Sequence, residues 1–144
     1  MGCTNSINRD EALKAPKFSM GGMVFTGICV RCLDGDTIDA SLKYLNNKYY
    51  VFTIRLVGID APELHPRIGT ESERRIEKDN AVLAKQFLEN KILHKEISIK
   101  ISDKNDKYGR ILGTIFCDGI NINQCMINNS HAYSYDGGTK RRIS

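Results

Sequence analysis

Alternation of apolar and polar residues predicts three strands in the first half of the chain. Residues 24–33 are rich in Val, Ile, Phe and Thr, which are typical of strands. Apolar side chains alternate with polar ones over 36–45 and again over 48–58. Asp34-Gly35 and Asn46-Asn47 are turn signals between these segments. The pattern therefore predicts a three-stranded antiparallel meander.

A change from alternation to helical spacing predicts a long helix after the meander. Thr70 and Glu73 match a capping box, so we expect the helix to begin there and to end near His94. Its first turns are polar on all sides and are expected to fray or to form loop. The predicted inward face consists of Ile76, Leu83, Ala84, Phe87, Leu88 and Ile92.

Two further strands and a short helix are predicted beyond this point. The strands cover 95–102 and 110–117, and Asn121 with Gln124 is a capping pattern that predicts a helix through about Asn129. The inward side chains of the first strand and the helix are predicted to be Ile97, Ile99, Ile101, Ile122, Cys125 and Met126.

This order of elements predicts an α+β protein that is mainly β. Three strands, a helix, two strands and a helix match a five-stranded OB-fold barrel, with the long helix between strands three and four and a short C-terminal helix. That fold often binds nucleic acids, which is an argument by analogy alone. We expect the barrel domain at 23–136, a flexible arm at 1–22 and a short basic tail at 137–144. The basic residues Lys140-Arg141-Arg142 are interpreted as a solvated terminus, with phosphate or anionic-lipid contact as the alternative.

Length and charge restrict the class of protein. The 144 residues, 41% of them hydrophobic, suit one globular domain, and the net charge of +4 permits a polyanionic partner without requiring one. The sequence has no apolar run of about 18 residues that could cross a membrane. Its start also lacks the apolar region of a secretory signal. We expect an intracellular monomer.

The five cysteines do not suggest a disulfide framework. Cys29 and Cys32 have a CxxC spacing, but no second ligand pair is spaced to complete a zinc site with them. Residues three apart in a strand point to opposite faces, so we expect these two thiols to diverge. Most of the cysteines are interpreted as small core residues.

The first six residues match an acylation pattern. Gly2 and Ser6 stand where N-myristoylation requires glycine and a hydroxyl residue, and Cys3 is a candidate for palmitoylation. Two acyl chains hold a membrane stably where one does not. The pattern predicts an anchor on the cytoplasmic face of a membrane. Chance is the alternative, in which case the protein is soluble in the cytoplasm.

Charged residues concentrate around a stiff turn between residues 55 and 63. Arg55 lies on the strand face away from the most apolar row, and Asp60 and Glu63 bracket Ala61-Pro62. One guanidinium and two carboxylates on a well-defined backbone suit a site for a phosphate and a cation. The alternative is a strand that ends in a solvated acidic turn.

Asp36 is the second candidate for this chemistry. By parity it lies at the very end of the apolar face of its strand, at the rim of the core. Burial without a partner would be costly, so we expect a cation or strong donors beside it. The alternative is that Asp36 caps its turn through Thr37 or nearby N–H groups.

Three segments together resemble the signature blocks of the staphylococcal nuclease (thermonuclease) family. They are Leu33-Asp34-Gly35-Asp36-Thr37, Arg55-Leu56-Val57-Gly58-Ile59-Asp60-Ala61-Pro62-Glu63 and Asp106-Lys107-Tyr108-Gly109-Arg110. The resemblance spans roughly residues 24 to 135. It implies a calcium-dependent phosphodiesterase that acts on DNA and RNA with little sequence preference and leaves a 3′-phosphate.

The resemblance also implies a role for each site residue. Asp36, Asp60 and the carbonyl of Ala61 would bind Ca²⁺. Glu63 would act as general base on the attacking water or position it, and Arg55 and Arg110 would hold the scissile phosphate. The implied substrate-binding residues are Lys107, Tyr108, Tyr133 and Tyr135.

Two features differ from the family pattern. Family members continue into a third helix after the tyrosine pair, whereas this sequence ends nine residues past Tyr135, so we expect the packing of that helix to be absent or replaced. The loop after Glu63 also differs, and substrate access is expected to differ with it. The alternatives to an active nuclease are a catalytically silent binding module of the same fold and an unrelated lipid-anchored adaptor.

Overall fold

A computed structural model describes residues 6–104, 106 and 108–136 of the chain. Its elements in chain order are α1 (Arg9–Leu13), β1 (Val24–Asp34), β2 (Thr37–Lys43), β3 (Tyr49–Leu56), β4 (Ile59–Asp60), α2 (Glu71–Ile92), β5 (Glu96–Ile101), β6 (Ile111–Cys117), β7 (Ile120–Asn121), α3 (Ile122–Asn128) and β8 (Tyr133–Ser134).

Five of the strands close into a barrel. Antiparallel pairing runs in the order β3-β2-β1-β5-β6. The parallel pairing of β3 with β6, in which Ile54 lies opposite Ile111 and Leu56 opposite Gly113, completes the ring. With α2 between the third and fourth barrel strands and α3 after the fifth, the predicted OB-fold architecture is confirmed.

The core fills the barrel with aliphatic side chains. Ile97, Ile99 and Ile101 are buried as the alternation predicts, and Ile122 and Met126 of α3 are buried with them. From α2 the core receives Ala84, Leu88 and Ile92. Both helices therefore pack against the barrel through the residues that carry their apolar spacing.

The buried face of α2 differs from the predicted one. Ile76 and Leu83 are 49% and 55% exposed, whereas Ala81 and Ala84 are fully buried. The prediction was wrong for Ile76 and Leu83, because the small residues make the closest approach, and it is confirmed for Ala84, Leu88 and Ile92. A Cβ on Gly35 would lie only 2.9 Å from the Cβ of Ala84, so the helix rests almost directly on the turn before β2.

The first turns of α2 are helical rather than frayed. The helix begins at Glu71, and Thr70 and Glu73 form both hydrogen bonds of a capping box, each 3.1 Å long. The cap satisfies the N–H groups of Thr70 and Glu73 and so stabilises this end of the helix without apolar contacts.

The N-terminal arm contains structure that the sequence did not predict. The exposed helix α1 is capped by Asn8, whose side chain accepts from the N–H of Glu11 at 3.1 Å. Further along, the N–H of Gly22 donates to the carbonyl of Ile101 at 2.8 Å and so ties the arm to β5. The domain boundaries at 22/23 and 136/137 stay predictions, and Gly2, Cys3 and the basic tail lie outside the described residues.

Cys29 and Cys32 point to the same side of β1, so the prediction that they diverge was wrong. The pairing register with β2 shifts between Cys29 and Arg31, which is the signature of a β-bulge. The extra residue restores the two thiols to one face, with their Sγ atoms 3.9 Å apart. Both cysteines and Cys117 are buried, as predicted.

Among the described residues no helix is long and apolar enough to span a membrane.

His131 supplies a pH dependence to the fold. Its ring packs against Phe87 of α2 with centroids 4.5 Å apart, and burial lowers the pKa of the imidazole. The fold therefore favours neutral His131, and this contribution to stability is present above the unfolded pKa of about 6.5 and is lost below it.

We expect His131→Phe to lose less free energy of unfolding than wild type between pH 7 and pH 5, measured by urea titration. An equal loss in both proteins would contradict this assignment.

Candidate active site

The site is built where three segments of the chain meet at one end of the barrel. Asp36 lies in the turn between β1 and β2, Arg55 near the end of β3, and Asp60 in β4. Thr37 lies opposite Arg55 in the β2–β3 ladder, and the N–H of Leu56 donates to the carbonyl of Asp36 at 2.8 Å. The backbone therefore fixes the β1–β2 turn against the end of β3.

The guanidinium of Arg55 lies between two buried carboxylates. Its Nη2 is 3.3 Å from Oδ2 of Asp36 and 3.6 Å from Oδ1 of Asp60, and the three side chains are 7%, 9% and 5% exposed. Nη1 donates to the carbonyl of Leu56 at 2.9 Å and so sets the direction of the fork. Two carboxylates with one guanidinium leave this buried trio with a net negative charge.

Asp36 has the strong donors that its position requires. The N–H of Ala61 donates to Oδ2 at 2.8 Å and the hydroxyl of Thr37 donates to Oδ1 at 3.1 Å. The first contact joins residues 25 positions apart and holds the turn after β4 against the turn before β2. Gly35 permits this approach, because a Cβ there would lie 2.9 Å from the Cβ of Ala61.

Asp34 is a third carboxylate at this site, and the sequence analysis assigned it only to a turn. Its Oδ1 accepts from the N–H of Asp36 at 2.9 Å. Burial and the charge of Asp36 raise the pKa of Asp34 to about 7. The signal was present in the sequence, since Asp-Gly-Asp places two carboxylates on either side of a one-residue turn.

Arg110 reaches the same region from the residue before β6, the strand that pairs with β3. Its Nε and Nη2 each donate to Asp106 at 3.0 Å, so the carboxylate accepts two hydrogen bonds from one guanidinium. That ion pair lowers the pKa of Asp106 and raises the pKa of Arg110, to which the charge of Asp36 also contributes. A cavity of about 100 Å³ is lined by both Arg55 and Arg110.

The tyrosines occupy different positions around this cavity. Tyr135 lines it, and its N–H donates to the carbonyl of Gly58 at 2.9 Å. Tyr133 pairs with Asp60 in the β4–β8 ladder. Tyr108 is 74% exposed with the guanidinium of Arg110 5.3 Å from its ring centre. Lys107, the fourth predicted substrate-binding residue, lies outside the described residues.

Glu63 lies shortly after Asp60, at the start of the loop that leads to α2. Its side chain is exposed, and its N–H donates to Oε2 of Glu77 at 3.1 Å. The structure thus brings Asp36, Arg55 and Asp60 into contact, places Arg110 at the same cavity as Arg55, and leaves Glu63 facing solvent. The catalytic and ligand roles of these residues stay predictions.

Asn123 supports the site and was missed as a functional position. It is buried in the first turn of α3, and its Nδ2 donates to the carbonyls of Val57 at 2.9 Å and Gly113 at 3.1 Å. Its Oδ1 accepts from the N–H of Ile115 at 3.1 Å. Asn123 therefore fixes the chain just after Arg55, and an asparagine in a helical cap region gave no sign of that role.

The donor set fits a hard divalent cation. Oxygens of Asp36 and Asp60 approach one guanidinium nitrogen from two sides, and the trio has unbalanced negative charge. Within the described part of the chain, no group of three or more His, Cys, Asp or Glu side chains could hold a metal ion. Two carboxylates would therefore need backbone, water or phosphate oxygens to complete a calcium shell.

Comparison with known proteins identifies the family. A family model described as "Staphylococcal nuclease homologue" matches residues 53–142, more than half of the chain. The chain belongs to the staphylococcal nuclease homologue family. The matched region begins within β3, just before Arg55, and includes Asp60, Glu63 and Arg110.

Three relatives share the same sequence identity with this chain. Two rice proteins named probable staphylococcal-like nucleases, CAN3 and CAN2, are each 30% identical over 124 residues, or 77% of this chain. An uncharacterized protein of Methanocaldococcus jannaschii is 30% identical over 128 residues. The alignments span 29%, 30% and 59% of these three relatives, so this nuclease-type domain matches only part of each.

Removal of Arg55 tests the electrostatic design of the site. In Arg55→Leu, two buried carboxylates lose their shared cation, which we expect to cost about 3–5 kcal/mol of unfolding free energy in urea titrations. Arg75→Leu is the matched control, because its ion pair with Glu71 is exposed and is expected to contribute about 1 kcal/mol or less.

A second substitution isolates the cause of that loss. Adding Asp60→Asn to Arg55→Leu removes one uncompensated charge and should recover part of the stability. A double variant that is less stable than Arg55→Leu would show that lost packing, rather than uncompensated charge, dominates.

Proposed function

We propose that the chain is a calcium-dependent phosphodiesterase that hydrolyses DNA and RNA with little sequence preference. The observation that carries this proposal is the guanidinium of Arg55 between the carboxylates of Asp36 and Asp60, at a cavity that Arg110 also lines. Family membership and the two rice relatives named as probable nucleases support the same class of reaction.

The two arginines suit the charge that develops during phosphodiester hydrolysis. A planar guanidinium can donate two parallel hydrogen bonds to a phosphate, which a lysine cannot do. Arg55 near the end of β3 and Arg110 just before β6 both line the cavity, so one phosphate between them could be held by both guanidinium groups. Charge accumulates on the non-bridging oxygens in the transition state, where two fixed cations lower the barrier.

Three residues are assigned to the cation. When bound by the carboxylates of Asp36 and Asp60 and by the carbonyl of Ala61, Ca²⁺ supplies a Lewis acid and a template for a phosphate oxygen. The hydrogen bond from the N–H of Ala61 to Asp36 keeps these donors in register. The part-buried hydrogen bond from Thr37 further restricts the rotation of the Asp36 carboxylate.

Glu63 is assigned to the attacking water. Its exposed carboxylate would accept the proton or orient the water as the oxygen bonds to phosphorus. The bond from phosphorus to the 5′ oxygen then breaks, and a proton from solvent completes the leaving group. The products are a 3′-phosphate and a 5′-hydroxyl.

A catalytically silent domain that only binds nucleic acid is the second candidate. The similarity to the Methanocaldococcus jannaschii protein, which is itself uncharacterized, is equally compatible with this candidate. This candidate predicts nucleic-acid binding without cleavage, whether or not calcium is present.

Cleavage of plasmid DNA and of RNA, with Ca²⁺ or with chelator, separates the two candidates. We expect cleavage only with Ca²⁺, and a loss of about 10²–10³ in kcat for Arg110→Ala because one transition-state donor set is removed. Glu63→Gln should also lower kcat, because it cannot accept the proton.

Two variants serve as controls, one for loss of charge and one for the shape of the guanidinium. Arg9→Ala removes an exposed arginine of α1 and should retain wild-type kcat. Arg110→Lys keeps the charge without the fork and should recover little activity. Undiminished cleavage in chelator, in Arg110→Ala or in Glu63→Gln would contradict the mechanism, and binding without any cleavage would favour the silent domain.

A further inference from the structure

A groove of about 660 Å³ begins at Leu64, directly after Glu63. It lies between the loop before α2 and the first half of that helix. Besides His65, the ionisable residues that line it are four basic and two acidic ones, namely Arg67, Arg74, Arg75, Lys78, Glu71 and Asp79. No role in the proposed reaction uses these residues.

The charges of this groove are not balanced within it. Glu71 forms an ion pair with Arg75 at 3.5 Å. The Nη1 of Arg74 donates to the carbonyl of Gly69, a neutral acceptor that leaves the positive charge in place and fixes the side chain along the groove. Arg67, Arg74 and Lys78 thus face the groove with only Asp79 to offset them among its lining residues.

The position of the groove indicates its ligand. A hydrogen bond from the N–H of Glu63 to Glu77 of α2 makes Glu63 the junction between the catalytic end of the barrel and the groove. A polyanion whose scissile phosphate lay between Arg55 and Arg110 could continue past Glu63 into this basic concavity. A concave channel suits a flexible strand, and unpaired cations attract successive phosphates without reading bases.

We propose that this groove binds phosphates of a single-stranded nucleic acid several nucleotides away from the bond that is cleaved. The inference deepens the proposed function and rests on it for the direction of the strand. Arg67 and Lys78 provide two exposed contacts, and Arg74 provides one whose direction is set by its hydrogen bond to Gly69. The groove therefore favours long substrates over dinucleotides and lowers KM for them, while kcat is set at the cavity of Arg55 and Arg110.

The test compares Arg67→Ser/Lys78→Ser with Lys48→Ser/Lys95→Ser, which removes the same charge from exposed positions outside the groove. Binding of a fluorescent 20-nucleotide single-stranded DNA (a probe length we choose) is followed by anisotropy in calcium-free buffer over a range of salt concentrations. Each lost phosphate contact reduces the slope of log K against log salt by about 0.7, so the groove variant should lose about 1.4 and the control nothing.

Kinetics give a second measurement. The groove variant should show raised KM on the long strand with kcat unchanged, and wild-type kcat/KM on a dinucleotide too short to enter the groove. The proposal would be overturned if both variants showed the same salt slope. It would also be overturned if the groove substitutions changed KM equally on long and short substrates, even if wild type cleaves DNA. If the two variants show the expected difference in salt slope but wild type never cleaves nucleic acid, the proposed function would be refuted and the groove assignment would stand.

Anionic lipid is the competing ligand for a basic surface. Sedimentation with phosphatidylserine vesicles tests it on the same two variants. Loss of vesicle binding in the groove variant, with an unchanged DNA slope, would assign the groove to lipid and overturn the proposal.

Discussion

The burial of Arg55 between Asp36 and Asp60 is the interaction on which this end of the barrel depends. Burying two carboxylates that are 9% and 5% exposed would be costly without a nearby cation. The guanidinium supplies it, and its second nitrogen is fixed by the carbonyl of Leu56. The same two carboxylates are the ones proposed to bind Ca²⁺, so the interaction that stabilises this end of the barrel also orients the proposed metal ligands.

The surrounding polar groups determine how rigid that arrangement is. Ala61 and Thr37 donate to Asp36, and Asn123 holds the strand end after Arg55 through the carbonyl of Val57. Each of these bonds links segments that are joined by the barrel rather than by neighbouring sequence, except the one from Thr37. The site is therefore held by the tertiary structure on all sides, as preorganised electrostatics require.

The two flanks of the site differ in how their cations are satisfied. On one flank, Asp106 holds Arg110 by two hydrogen bonds and fixes its direction. On the other, the cations of the groove beside α2 are only partly balanced. A fixed guanidinium suits a phosphate that must be placed accurately, whereas loosely held cations suit phosphates that need only be attracted.

The local pattern of the sequence was enough to predict the barrel, because alternation, turn residues and capping boxes act over a few residues. It also predicted that Asp36 would need strong partners, since parity alone placed a carboxylate at the rim of the core. Wherever an outcome depended on a distant segment, the tertiary structure decided it. The bulge in β1 turned Cys32 to the side of Cys29, and the close contact of Gly35 with Ala84 rotated α2 away from Ile76. The role of Asn123 and the raised pKa of Asp34 likewise arise from burial and from neighbours that only the closed barrel provides.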